Sequence, residues 1–279
     1  METLEIVRRR LVIPEPTQLW TASPREFKRI TILARGFWAE YRAGFGFNIP
    51  NNLSELVFGS LPNSNAKYAK SDELIFGLSL AQSNLSGINV CCWSTPECRK
   101  ACVGKNGNNG FPKTMNAKIA KTRFLFEHPK EAGVLLADFW FKAQGKAGDL
   151  GKDIGGRMNT FSDINWIEAA PWIFERFLAI NFYDYTKDWD RVSPFSNYHL
   201  TYSASEKTSD DDIIDFVTQG KNVAVVFKPW GKKPLPPEFL GFPVIDGDKD
   251  DVRWKDPKGV IVGLRRKGSM RATSPMVRG

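Results

Sequence analysis

YHLTYSASEKTSDDDIIDFVTQGKNVAVVFK, residues 198–228, reads as strand, helix, strand. Tyr198 to Ser205 is rich in aromatic and β-branched residues, which fit a pleated surface. Asp210, Asp211 and Asp212 then place three carboxylates where the positive end of a helix dipole would lie, and Gly220 supplies a stop. NVAVVFK (222–228) is almost unbroken apolar sequence, as a strand covered on both faces requires. Two strands separated by a helix make a parallel crossover unit.

The same alternation continues in both directions. Upstream lie IGGRMNTF (154–161) as a strand, NWIEAAPWIFERFL (165–178) as a helix kinked or restarted at Pro171, and INFYDYT (180–186) as a strand. Downstream, KKPLPPEFLGFP (232–243) reads as a loop, followed by short apolar strands at PVIDGD (243–248) and GVIVGL (259–264). Six or seven strands alternating with helices, without a Gly-rich dinucleotide fingerprint, predict an α/β fold. The expected form is a TIM-barrel-like parallel barrel, complete or partial.

Further upstream the pattern is helical. Ser23-Pro24-Arg25-Glu26 is a capping box with proline in the first turn, and FKRITILARGFWAEYRAGF (27–45) carries apolar residues at helical spacing. Thr114 to His128 predicts a helix, and Pro129 opens another that ends near Gly145. A short β-like run, Ile88 to Val90, precedes the cysteines, and GKNGNNG (104–110) is a turn-rich loop. The expected organisation is an N-terminal helical extension over 1–80, a barrel-like domain over 81–268 and a basic, mobile tail over 269–279.

Composition sets outer bounds. The 279 residues are 42% hydrophobic and 25% charged, as in an ordinary folded chain. No apolar run is long enough for a membrane span, and the first residues lack the apolar core of a secretory signal. An intracellular, reducing compartment is therefore expected, where a disulfide framework is disfavoured. The net charge of +8 favours acidic partners, nucleic acid first.

All four cysteines fall in one window, NVCCWSTPECRKAC (89–102): Cys91, Cys92, Cys98 and Cys102. Three chemistries compete for them. Zinc wants four tetrahedral ligands, but the chain has no paired C-x₂-C knuckles, and adjacent Cys91 and Cys92 suit one ion poorly. Cys91, Cys98 and Cys102, spaced C-x₆-C-x₃-C, fit a three-thiolate [4Fe–4S] site with one iron open. A redox or nucleophilic thiol is the third, and Arg99, Lys100 and Lys105 would favour thiolates in any of them.

Polar residues recur where the strands end: Asn159 and Asp163, then Asp184, Thr186 and Lys187, then Ser203, Ser205 and Glu206, then Lys228. In a parallel α/β fold that rim carries the site. Asp246, Asp248, Asp250 and Asp251 form an acidic turn that could hold a hard cation or simply be solvated. His128 at a helix end and His199 in a strand read as a cap and a core residue. With no P-loop and no His-x-His pair, nucleotide hydrolysis and rolling-circle nicking are not supported.

SGINVCCWSTPECRKAC, KTRFLFEHP, RMNTFSDINW, FYDYTK, NYHLTYSASE, NVAVVFK, PVIDGDKDD and GVIVGLRRKG occur in this order between about residues 75 and 268. Together they resemble the phage-encoded gene product 88 family. The resemblance implies a bacteriophage protein working in the bacterial cytoplasm, TIM-barrel-like and distantly similar to radical S-adenosylmethionine enzymes. It implies a cysteine loop suited to an iron–sulfur cluster, with Cys91, Cys98 and Cys102 matching the family cysteines and holding a [4Fe–4S] cluster whose open iron, if the chain is an enzyme, would bind S-adenosylmethionine or a substrate. Asn159, Asp163, Asp184, Lys187, Ser203 and Lys228 would then shape the pocket above it. The chain departs from the family where Cys92 replaces a proline, which leaves open whether Cys91 or Cys92 is the ligand and whether Cys92 is a fourth ligand or a bystander, and it lacks the C-x₃-C-x₂-C spacing of the radical enzymes. The expected partners are nucleic acid or a host protein, with no membrane. A basic nucleic-acid-binding protein with a structural zinc is the alternative function.

Overall fold

A computed structural model describes residues 10–62 and 71–279; the parts of the expected helical extension at 1–9 and 63–70 lie outside the described residues. The chain opens with helix α1, Pro24–Ala43. Its Ser23 cap accepts from the Glu26 N–H, while the Glu26 carboxylate accepts from the Ser23 N–H, so the capping box is complete. Strand β1 is Leu74–Gly77. Short helix α2 (Pro96–Lys100) is followed by α3 (Pro112–Glu127) and α4 (Pro129–Asp149). Then come β2 (Ile154–Arg157), α5 (Trp166–Ala169), α6 (Trp172–Arg176), β3 (Asn181–Thr186) and β4 (Tyr198–Ser203). Helix α7 (Asp210–Thr218) leads to β5 (Asn222–Trp230), β6 (Glu238–Phe239), β7 (Phe242–Asp246), β8 (Ile261–Arg266) and β9 (Val277–Arg278).

The strands form one sheet in the order β1-β2-β3-β4-β5-β8-β7-β6, with β9 on β5. Every pairing is parallel except the β6–β7 hairpin. The α/β class and the parallel sheet agree with expectation. The barrel does not close: β1 and the β6–β7 hairpin are separate edges, so the fold is an open sheet. Neighbours from β1 to β5 follow chain order, so right-handed crossovers stack their helices on one face.

That face holds the main core. Phe182 of β3 meets Trp140 of α4 and Phe174 of α6 edge to face, and Phe174 stacks on Tyr198 of β4. Ile213 and Val217 of α7 pack with Val223, Val225 and Phe227 of β5. The opposite face is covered by the segment after β7, where Trp254 and Val252 pack on Ile75 and Tyr183. The IGG sequence of β2 follows from this double cover. A Cβ on Gly155 would lie 2.4 Å from Trp254, and one on Gly156 would lie 2.6 Å from Phe182.

Two expectations change and one is met. The first strand is β1, not Ile88–Val90, so the sheet begins before residue 80. Ile88–Val90 is irregular, with Val90 buried in the core. Pro171 does restart the helix, giving α5 and α6. The C-terminal segment is seated rather than free, since β9 pairs with Val226 and Phe227. Among the described residues no helix is long and apolar enough to cross a membrane.

Candidate functional site

Cys91, Cys98 and Cys102 line one cavity of about 240 Å³ beyond the C-terminal ends of β2, β3 and β4. Cys92 does not: it is exposed, and its thiol lies 3.8 Å from the Asn89 carbonyl outside that cavity. The adjacent pair therefore splits, with Cys91 turned inward.

The loop is held by its own backbone and by distant groups. Ser83, a non-glycine residue in the left-handed region at φ 52°, donates its N–H to the Cys91 sulfur at 3.3 Å. Such a conformation is costly for serine, and here it aims an amide at sulfur. The Gly104 backbone offsets part of the burial that raises the Cys102 thiol. Thr95 caps α2 by accepting the Cys98 N–H, and donates in turn to Glu206 at 2.6 Å. The other Glu206 oxygen accepts the Glu97 N–H. Lys118, buried on α3, donates to the carbonyls of Gly104 at 2.7 Å and Asn109 at 3.1 Å.

Burial pushes the Cys91 thiol up to about 12, and the charges of Asp163, Cys102 and Cys98 add to it against the pull of the Ser83 amide. Burial also raises Cys102, despite Lys105 and Lys118 nearby. The expected thiolate-favouring cations are thus outweighed by desolvation. A nucleophilic cysteine needs the reverse shift. A metal that binds here displaces the protons itself.

The Cys91 sulfur thus accepts a backbone N–H bond, and the donor set is thiol-rich. A single zinc would draw its thiolates within about 4 Å of one another, from bonds of about 2.3 Å. Among the described residues no group of three or more His, Cys, Asp or Glu side chains is gathered to hold one ion.

The cysteine cavity adjoins a chamber of about 480 Å³. Arg157, Tyr185, Ser203, Val226 and Leu264, one each from β2, β3, β4, β5 and β8, line it on the face away from the helices. These side chains share the sheet face away from the helices, as the alternation along each strand requires. Ala101, Val103, Phe161 and Met270 line both spaces. Arg157 is fixed by Asp251 at 2.9 Å and lies 4.9 Å from the Tyr185 ring centroid.

The expected rim residues divide. Ser203 and Lys187 line the cysteine cavity. So does Asp163, but its oxygens are already engaged by Arg191 at 2.9 Å, Thr186 Oγ1 at 2.8 Å and the Lys187 N–H at 2.9 Å. Asn159 touches the cavity, yet its amide is fully used: Nδ2 donates to Ile164 and Asp184, and Oδ1 accepts from Ser162, Ile164 and Trp166. Asp184 is corrected. It lies fully buried on the helix face of β3, accepting from the Asn159 N–H at 2.6 Å and Tyr198 Oη at 2.8 Å. Burial pushes its carboxyl up to about 7, against those donors and the charges of Arg157 and Arg191. Lys228 is also corrected: it is exposed, lines neither space, and its carbonyl accepts from Arg266.

The acidic turn is an ion-pair network, not a cation site. Asp246 and Asp248 hold Arg265, Asp248 also holds Lys267, and Asp250 holds Arg253. Arg265 and Lys267 are accordingly paired in place, and Arg278 lies 3.7 Å from Asp210. Thr95, Lys118, Arg157 and Arg191 were missing from the expected site, whereas Glu206, expected on the rim, accepts from Thr95. Only Thr95 had a local signal, the Thr-Pro-Glu of a capped helix start.

The family model described as Gene product 88 matches residues 57–278. That span exceeds the motif-bearing stretch and takes in the C-terminal segment, and it supports a bacteriophage origin. Nothing matches among curated proteins or among solved structures. The chain belongs to the Gene product 88 family.

Proposed function

We propose that this Gene product 88 chain is an iron–sulfur protein in which Cys91, Cys98 and Cys102 hold a [4Fe–4S] cluster beside a ligand chamber. The carrying observation is that these three thiols line one cavity while Cys92 lies outside it. When bound, the cluster supplies a one-electron couple and an iron with an open position. The chain's own groups do the rest. Ser83 aims an amide at the Cys91 sulfur. Thr95 and Glu206 fix the helix that carries Cys98. Arg157, braced by Asp251, and Ser203 present polar groups to a ligand in the chamber. The S-adenosylmethionine implied by the resemblance would bind in that chamber, and the expected workplace is the host cytoplasm.

The test is a visible absorption spectrum on protein purified without oxygen. A broad band bleached by dithionite is expected for the natural chain and for Cys92→Ser. It should vanish when Cys91, Cys98 and Cys102 are all replaced by serine. A colourless natural chain, under conditions that load other cluster proteins, sinks the reading.

A further inference from the structure

The chamber of about 480 Å³ gathers polar groups that the fold itself leaves unused. Among the described residues the hydroxyls of Ser79, Thr160 and Ser203 and the side-chain amide of Asn109 make no hydrogen bond, and all four line this space. The Thr160 oxygen is buried as well. A buried hydroxyl without a partner is costly, so this wall calls for an occupant that can hydrogen-bond. Four charged side chains line the same space. Arg157 is paired with Asp251 at 2.9 Å, and Arg265 with Asp246 at 2.7 Å and Asp248 at 3.3 Å. Lys267 differs. Asp248 takes one of its three N–H donors at 2.5 Å, and the half-exposed ammonium keeps two to give. Lys267 belongs to the C-terminal strap that follows β8, which Ser274 fastens by donating to Glu97 at 2.7 Å.

We propose that the chamber binds a nucleoside that carries an anionic group, with its phosphate or carboxylate on Lys267. The inference rests on the reading of the chamber as a ligand site and needs no cluster. A sugar and a base supply partners for the three hydroxyls and the amide. A flat base also matches the rings of Phe161 and Tyr185, which line the space beside Val226 and Leu264. The volume lies in the range of sites that enclose most of a small organic ligand. A bare inorganic anion would leave the rings unmatched, and an apolar ligand would leave the Thr160 hydroxyl and the Lys267 donors unmatched.

The test is titration calorimetry on the full chain at low salt with two matched pairs of probes. Adenosine is set against adenosine 5′-monophosphate, and 5′-methylthioadenosine against S-adenosylhomocysteine. Each pair keeps the nucleoside and changes the part that bears the anion, so the pairs tell phosphate from carboxylate. The anionic member of one pair should bind about 10-fold more tightly than its neutral partner. Lys267→Met should abolish that preference with the neutral member's affinity unchanged, which also shows that the variant is folded, and Lys267→Arg should retain it. Thr160→Val should weaken both members about 10-fold. Equal affinity within both pairs, no binding of any probe, or a preference that survives Lys267→Met overturns the proposal. Iron and sulfide counted in the same sample separate it from the cluster reading: the preference without iron removes the cluster and keeps this site, and iron without the preference does the reverse.

Discussion

Cys91 and Cys92 are adjacent, and a half-turn of backbone separates a cavity thiol from a solvent thiol. Replacing Cys91, Cys98 or Cys102 singly by serine should therefore strip most of the iron, whereas Cys92→Ser should leave iron per chain unchanged by elemental analysis. Lys118 acts one step further out, through the Gly104 carbonyl. Lys118→Met should weaken cluster retention about 10–100-fold against a chelator, the usual range for groups that orient ligands. Asp184 offers a test by pH. Its folded carboxyl titrates near 7, well above the ordinary value of 3.8. Between those values the folded chain keeps a proton that the unfolded chain releases, so this contribution is complete below about pH 4 and is lost as pH rises through 7. Urea unfolding at pH 5 and pH 8 should show that loss in the natural chain and a smaller one in Asp184→Asn. At this scale the cysteines were legible because their clustering is local. Asp184 was misplaced because a strand's alternation settles which face a residue takes only once its register is known.

Among the elements, α1 is joined to α4 by a buried ion pair. Arg35 Nε donates to Asp138 Oδ2 at 3.0 Å, and both side chains are less than a tenth exposed. Removing one partner strands the other charge. Asp138→Ala should cost about 3–5 kcal/mol in chemical denaturation, and Arg35→Met with Asp138→Leu should recover much of it. Gly155→Ala presses a methyl into Trp254 and should cost about 1–3 kcal/mol by the same measurement. Capped and periodic elements were readable in advance: α1 through its capping box, α7 through its acidic first turn, β5 through its apolar run. Strand β1 was not, since Leu74–Gly77 is four residues without alternation and looks like any short apolar segment. Ile88–Val90 looked more like a strand than β1 did, but its chain end is spent on the cysteine turn.

Over the whole molecule, parallel strands bring polar and sulfur groups from distant parts of the sequence to one rim, although the sheet stays open. The alternation after residue 151 revealed the class. Closure and the seating of the C-terminal strap depend on pairings between remote segments that leave no local mark. The ion pairs at the end of β8 also change the meaning of the net charge, because Arg265 and Lys267 are bound to Asp246 and Asp248 and do not form a free basic arm. The central claim is the cluster. It is tested most directly by counting iron, acid-labile sulfide and zinc in protein purified without oxygen. About four irons and four sulfides per chain, with little zinc, is the predicted result. About one zinc and no sulfide would contradict it and make the cysteine loop a structural clip.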